Sequence, residues 1–132
     1  MEIVVVDGQG GGIGKSVIAA IKAKNPNVFI IGVGTNSIAT ANMKKAGADV
    51  IATGENAIVY NAQTADILIG PIGMAFANSM YGEVSPTMAQ AIGLSKAKKY
   101  LIPVSKCSAY VVGTRQKTIP QYIEELIQLL EI

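Results

Sequence analysis

A run of glycines between an apolar strand and an apolar helix constrains this chain more than any other feature of its sequence. Three valines and an aspartate are followed by five glycines within seven residues, Gly8 to Gly14, and then by apolar residues at helical spacing. Glycines let the backbone turn tightly and approach a ligand closely, and the first amides of a helix offer N–H donors to an anion. The stretch from Asp7 to Ser16 therefore predicts an anion-binding loop, although it indicates no particular reaction.

Apolar strands alternate with helical patterns along the rest of the chain. The predicted strands are Glu2–Val6, Val28–Val33, Asp49–Ala52, Asp66–Ile69, Lys99–Val104 and a short sixth one, Ala109–Val112. Three helices are predicted at Gly12–Lys24, Glu55–Ala62 and Met74–Tyr81. Three more are predicted from their end signals: one is capped by Asn36 or Ser37 and ends at Ala46 before Gly47, one is opened by Ser85 and Pro86, and one begins at Thr118. Alternation with short links indicates crossover units. We expect one α/β domain over residues 1–132, a Rossmann-like three-layer sandwich with a mostly parallel sheet of five to six strands and helices on both faces.

Composition and charge exclude several classes of partner. Eleven basic and nine acidic residues are spread along the chain, so no basic stripe indicates nucleic-acid binding. No apolar run reaches the roughly 18 residues that a membrane span needs. The absence of His and the presence of one Cys exclude the usual zinc and haem ligand sets from a single chain, so we expect no protein metal site. One Cys and no leader-like start predict a cytoplasmic location.

Most of the glycines follow predicted strands, which places them on one edge of a parallel sheet. Ten of the fourteen glycines lie at or just after the ends of the first four strands. Ligands of open α/β sheets bind beyond the carboxyl ends of the strands, where the strand order reverses. The plainer interpretation is that glycines merely end strands. The residues predicted to bind a cofactor are Gly8, Gln9, Gly10, Gly11, Gly12, Ile13, Gly14, Lys15, Thr35, Asn36, Ser37, Gly54, Gly70, Pro71 and Gly73.

Two phosphate-loop templates compete for the glycine run. Gly8, Gly12 and Gly14 resemble the G-x-x-x-G-x-G loop of short-chain dehydrogenases, which implies an NADP-like cofactor. However, the usual threonine before the loop is Asp7 here, and no Tyr has a Lys four positions later, so that family's catalytic pair is missing. The other template is the P-loop, for which Gly14, Lys15 and Ser16 supply the ending while Gln9 stands where its first glycine should be.

Candidate catalytic residues are few. They are Asp7, Lys15, Glu55, Lys106 and Cys107. Asp7 fits neither template, because a carboxylate beside a phosphate loop repels the anion. It is either a clasp that accepts backbone N–H bonds or a ligand group for Mg²⁺ or a ribose hydroxyl. Thr35, Asn36 and Ser37 offer donors to a 2′-phosphate, but no acid follows the second strand to hold a ribose hydroxyl.

Longer stretches of the chain resemble an uncharacterised bacterial family, domain-of-unknown-function family 3842. The resemblance is carried by residues 7–15, 34–40, 52–59 and 70–73, together with residues 77–80 and 106–107. It covers nearly the whole chain. It implies a Rossmann-like fold without an assigned activity.

Three hypotheses about function follow. The first is a nucleotide- or dinucleotide-binding module, NADP-like in its ligand, that acts as a sensor or accessory subunit. The alternative is a small hydrolase or transferase acting on a phosphorylated substrate through Asp7, Lys15 and Glu55. The third is an assembly protein whose last helix pairs with a second copy through the apolar stripe containing Leu126 and Leu130. We also expect a homodimer, because small Rossmann-like chains often leave apolar surface that a second copy covers.

Overall fold

Five parallel strands form the central sheet in the computed structural model, which describes residues 1–104 and 108–132. The strands are β1 (Ile3–Asp7), β2 (Ile30–Gly34), β3 (Val50–Thr53), β4 (Ile67–Pro71) and β5 (Lys98–Ile102). Their spatial order is β3-β2-β1-β4-β5, and every neighbouring pair is parallel. The predicted mostly parallel α/β sheet is therefore confirmed. The strand order reverses between β1 and β4, which is where such sheets bind ligands.

Four α-helices connect the strands and a fifth follows β5, and local sequence signals set most of their ends. They are α1 (Gly12–Lys24), α2 (Ser37–Ala46), α3 (Glu55–Thr64), α4 (Pro86–Leu94) and α5 (Ile119–Leu130). The predicted bounds of α1 are confirmed. The side chain of Asn36 accepts the Ala39 N–H at the start of α2, and Gly47 ends that helix in the left-handed conformation. Thr118 and Gln121 form the predicted capping box of α5.

The helices cover both faces of the sheet, as predicted. Because side chains alternate along a strand, Val4 and Val6 of β1 face α3 and α4, whereas Ile3 and Val5 face α1, α2 and α5. A core packs against each face. The core beside α1 includes three buried residues of α5, namely Ile123, Leu126 and Leu130. The stripe expected to pair with a second copy is thus packed inside the chain, and that expectation is corrected.

Two predicted elements are absent from the part of the chain that the structure describes. The expected sixth strand, residues 109–112, is a loop in which Tyr110 and Val112 are 90% and 96% exposed. A run of four apolar residues without a partner strand buries too little surface to be fixed as a strand. The expected helix over residues 74–81 is a 3-10 turn, Ile72–Ala75, followed by further turns. Left-handed backbone at Asn78, Met80 and Tyr81 prevents a helix there.

Candidate functional site

The glycine loop, residues 8–12, connects β1 to α1 at the carboxyl edge of the sheet, beside the point where the strand order reverses. Its shape depends on Gly11, which has φ +74° and directly precedes α1. A Cβ atom at this position would lie 2.6 Å from the Cα atom of Ala39 in α2. The Gly11 N–H donates to the Gly8 carbonyl oxygen at 2.9 Å, which closes the turn. Glycine at position 11 is therefore required by both conformation and space.

The Asp7 side chain holds this loop through two hydrogen bonds. Its Oδ1 atom accepts the N–H of Gly8 and its Oδ2 atom accepts the N–H of Gly14, both at 2.7 Å. The side chain is buried, and this burial raises the pKa of Asp7 although the two backbone hydrogen bonds act in the opposite direction. This is the geometry of the clasp considered for Asp7, because its carboxyl oxygens bind the start of the loop at Gly8 and the first turn of α1 at Gly14.

Two glycines of the loop, Gly10 and Gly12, are exposed. Among the described residues, the N–H groups of Gly10 and Gly12 have no protein acceptor. A Cβ atom built on either glycine would meet nothing within 4 Å. A cavity of about 290 Å³ adjoins the loop and is also lined by Met80 and Ile119. The loop thus presents free donors and open space at the N-terminus of a 13-residue helix.

Glu83 is a functional candidate that the sequence analysis missed. Its Oε1 atom accepts the backbone N–H of Gln9 at 2.7 Å and the side-chain Nδ2 of Asn36 at 2.6 Å, and it also accepts the hydroxyl of Thr35. Burial raises the pKa of Glu83, but these three hydrogen bonds outweigh it and leave the pKa below its usual value. An ionised carboxylate therefore lies between the glycine loop and the end of β2.

The turns that carry Glu83 fold back over the glycine loop. The Asn78 N–H donates to the Val84 carbonyl at 2.7 Å, and the Val84 N–H donates to the Ser79 carbonyl at 3.2 Å. Val84 is fully buried in the core, which anchors the end of these turns. A Cβ atom on Gly8 would lie 2.8 Å from the sulfur of Met80. Residue 8 therefore has no room for a side chain while Met80 keeps this position.

Several glycines predicted to bind a cofactor also permit close packing between elements. A Cβ atom on Gly14 would lie 2.8 Å from the sulfur of Met43, and one on Gly70 would lie 2.7 Å from the carbonyl oxygen of Val6. Gly54 differs, because it precedes α3 with φ +105° and space around it. Other predicted binding residues occupy element ends. Ser37 begins α2, Pro71 ends β4, Ile13 is in the first turn of α1, and Gly73 is in the 3-10 turn.

Among the described residues, no hydrogen bond or ion pair joins one catalytic candidate to another. Lys15 is exposed in the first turn of α1. Glu55 begins α3, and its Oε1 atom accepts the hydroxyl of Ser85, the cap of α4, at 2.7 Å. Lys106 and Cys107 lie outside the described residues. In the same part of the chain, no three Asp, Glu, Cys or His side chains converge as a metal site would require.

A larger hollow of about 520 Å³ lies between α3 and α4, lined in part by Gln63, Gln90, Leu94 and Lys96. Its walls are mainly the outer surfaces of two helices. None of its lining residues is a glycine, so it lacks the close backbone approach that the glycine loop allows. The smaller cavity at the glycine loop is the better candidate site. No helix in the described ranges is long and apolar enough to cross a membrane.

The chain belongs to an uncharacterised family, because the family model described as "Domain of unknown function (DUF3842)" matches residues 2–132. The resemblance predicted from the sequence is thus confirmed. No curated protein matches the chain. Among solved structures, the chain is similar to a dodecameric FMN-dependent Ubix-like decarboxylase from Escherichia coli O157:H7, with 17% identity and a TM-score of 0.47 over 99% of this chain and 76% of the other. A likeness this distant carries no information about function.

Proposed function

We propose that this member of an uncharacterised family binds a nucleotide-containing small molecule at the carboxyl edge of its sheet and acts as a sensor or accessory subunit. The observation that carries the proposal is the pair of amides at the exposed residues Gly10 and Gly12, which have no acceptor in residues 1–104 and 108–132 and lie at the N-terminus of α1. Backbone N–H groups in this position bind phosphate in many α/β proteins, because the helix dipole adds to their hydrogen bonds. The ligand phosphate lies against these two amides.

The Asp7 clasp supports this assignment. Its carboxylate accepts the N–H groups of Gly8 and Gly14, whereas those of Gly10 and Gly12 have no acceptor in the part of the chain that the structure describes. A loop that is held in shape before a ligand arrives loses little conformational entropy on binding. The clasp therefore contributes to affinity although it touches no ligand.

A binding role is favoured over catalysis because two of the candidate carboxyl groups are already engaged. Both oxygens of Asp7 accept backbone N–H groups, and Glu55 joins the starts of α3 and α4 through Ser85. General acid–base catalysis needs a titratable group within hydrogen-bond reach of the reacting atom. The alternative, a hydrolase or transferase acting on a phosphorylated substrate, is supported only by the exposed Lys15 beside the loop. It predicts that Lys15→Ala abolishes phosphate release in a substrate screen.

Titration calorimetry with defined nucleotides tests the binding proposal. The probes are 5′-AMP, ATP, NAD, NADP and coenzyme A, each titrated into the purified chain. We expect at least one of them to bind, and Gly12→Ala to weaken it by about tenfold or more because the new methyl group occupies the space in front of the free amides. Gly93→Ala is the matched control, because Gly93 lies in α4 and a Cβ atom there also meets nothing within 4 Å. No binding of any probe at millimolar concentration would refute the proposal.

Native mass spectrometry of the purified protein adds a test that needs no chosen probe. It reports any ligand retained from the cell and the number of copies in the assembly. We retain the homodimer as a prediction, but the buried Leu126 and Leu130 do not supply its interface. The expected compartment is still the cytoplasm, because one Cys permits no intrachain disulfide.

A further inference from the structure

The Glu83 carboxylate is fixed by one of its two oxygens. Oε1 accepts all three hydrogen bonds, from Gln9, Thr35 and Asn36, and within residues 1–104 and 108–132 no donor reaches Oε2. A carboxylate oxygen has two lone pairs and donates nothing, so Oε2 is an acceptor held in a defined position. Since the side chain is only partly buried, a bound molecule can reach it.

The three donors define where this acceptor lies. Gln9 belongs to the glycine loop, and Thr35 and Asn36 directly follow β2. A Cβ atom on Gly8 would be 3.1 Å from Oε1 of Glu83, so the carboxylate lies directly over the start of the loop. The Glu83 carboxylate is thus close to the Gly10 amide, because it accepts the N–H of Gln9, the residue directly before Gly10. One ligand can therefore meet a negative group at Glu83 and positive donors at Gly10.

From this arrangement we infer that Glu83 determines the ligand class of the proposed site, admitting nucleotides whose ribose hydroxyls are free and excluding those with a phosphate on the ribose 2′ position. This inference rests on the proposed function. In dinucleotide-binding sheets an acid accepts the ribose 2′-OH at the end of the second strand. Here β2 is followed by Thr35 and Asn36, and the acid comes from turns more than 40 residues later in the sequence.

Electrostatics decides which ligand this acid accepts. A ribose hydroxyl donates to a carboxylate oxygen in a charge-assisted hydrogen bond. A phosphate in the same place brings a second negative charge to within a few ångströms, and the nearby donors Thr35 and Asn36 are already engaged by Glu83. We expect discrimination of at least about tenfold after screening by salt. The NADP-like ligand suggested by the loop resemblance is therefore replaced by an NAD- or AMP-like one.

The test compares two ligands that differ only at the 2′ position. 5′-AMP and adenosine 2′,5′-bisphosphate are titrated calorimetrically into the native chain and into Glu83→Gln. The native chain should bind 5′-AMP at least about tenfold more tightly, whereas Glu83→Gln, which removes the charge but retains the shape, should bring the two affinities within about threefold. Glu2→Gln is the control, because it removes the same charge at the opposite edge of the sheet.

The outcomes separate this inference from the proposed function. If 5′-AMP binds but Glu83→Gln leaves the ratio unchanged, or strengthens both ligands equally, the specificity role of Glu83 is overturned while nucleotide binding stands. If neither ligand nor the other nucleotide probes bind to the native chain, both proposals fall. Glu83→Asp covers the case in which Glu83→Gln does not fold. It keeps the charge, so it should still exclude the bisphosphate while binding 5′-AMP more weakly, and equal binding of the two ligands would contradict the inference.

Discussion

Replacing Gly12 with alanine should stabilise the fold and weaken ligand binding at the same time. Gly12 is the first residue of α1 and has no left-handed backbone, and a Cβ atom added to it would meet nothing within 4 Å. Alanine at such a position stabilises a protein by about 0.4–1 kcal/mol, mainly because it restricts the unfolded chain. For a domain of this size, that corresponds to a melting temperature higher by roughly 2–4 °C.

The same methyl group would lie in front of the open amides. A phosphate approaching the Gly10 and Gly12 N–H groups requires close backbone contact, which a side chain prevents. We expect a loss of affinity of about tenfold or more, equivalent to about 1.4 kcal/mol. Thermal denaturation followed by circular dichroism and calorimetry with 5′-AMP measure the two effects on the same sample.

Gly11→Ala provides the contrasting variant one residue earlier. A left-handed alanine costs about 1–2 kcal/mol, and displacing Ala39 from 2.6 Å adds about 1–3 kcal/mol, so the total destabilisation is about 2–5 kcal/mol. Gly93→Ala should stabilise the chain like Gly12→Ala but leave binding unchanged. The reasoning is refuted if Gly12→Ala is less stable than the native chain, or if it binds ligand as tightly.

Three further predictions concern stability. Burial raises the pKa of Asp7, so the folded chain binds a proton at this carboxyl group more tightly than the unfolded chain does. Lowering the pH from about 7 to about 4.5 should therefore increase the stability of the native chain relative to Asp7→Asn in urea denaturation. A constant difference between the two chains would contradict this. Leu126→Ala should cost about 2–5 kcal/mol in the same assay, whereas the exposed Leu129→Ala should change stability by less than about 0.5 kcal/mol. Thr118→Ala should cost about 1 kcal/mol through loss of the α5 cap, and an unchanged midpoint would exclude that role.

Local rules explain which parts of the fold were predictable. The bounds of α1, the Asn36 cap and the capping box at Thr118 each depend on residues within one helical turn, and all were confirmed. The parallel sheet followed from the alternation of strands and helices. The short apolar run at residues 109–112 was wrongly predicted as a strand, because β-propensity is weak without a partner strand.

The candidate site was less predictable because it depends on distant parts of the chain. Glu83 is 48 residues from Thr35, and no spacing rule connects them. The left-handed residues Asn78, Met80 and Tyr81, which bring Glu83 back over the loop, are not glycines and gave no turn signal. The strand order that places β4 beside β1 was likewise not specified by any local pattern.

The clasp formed by Asp7 also bears on how fast a ligand can bind. Its bonds to Gly8 and Gly14 hold the loop in one conformation without help from a ligand. Association then requires no prior rearrangement of this loop, so the observed rate should rise linearly with ligand concentration and reach no plateau in stopped-flow measurements. With Asp7→Asn, a loop that must first order itself should introduce a limiting rate.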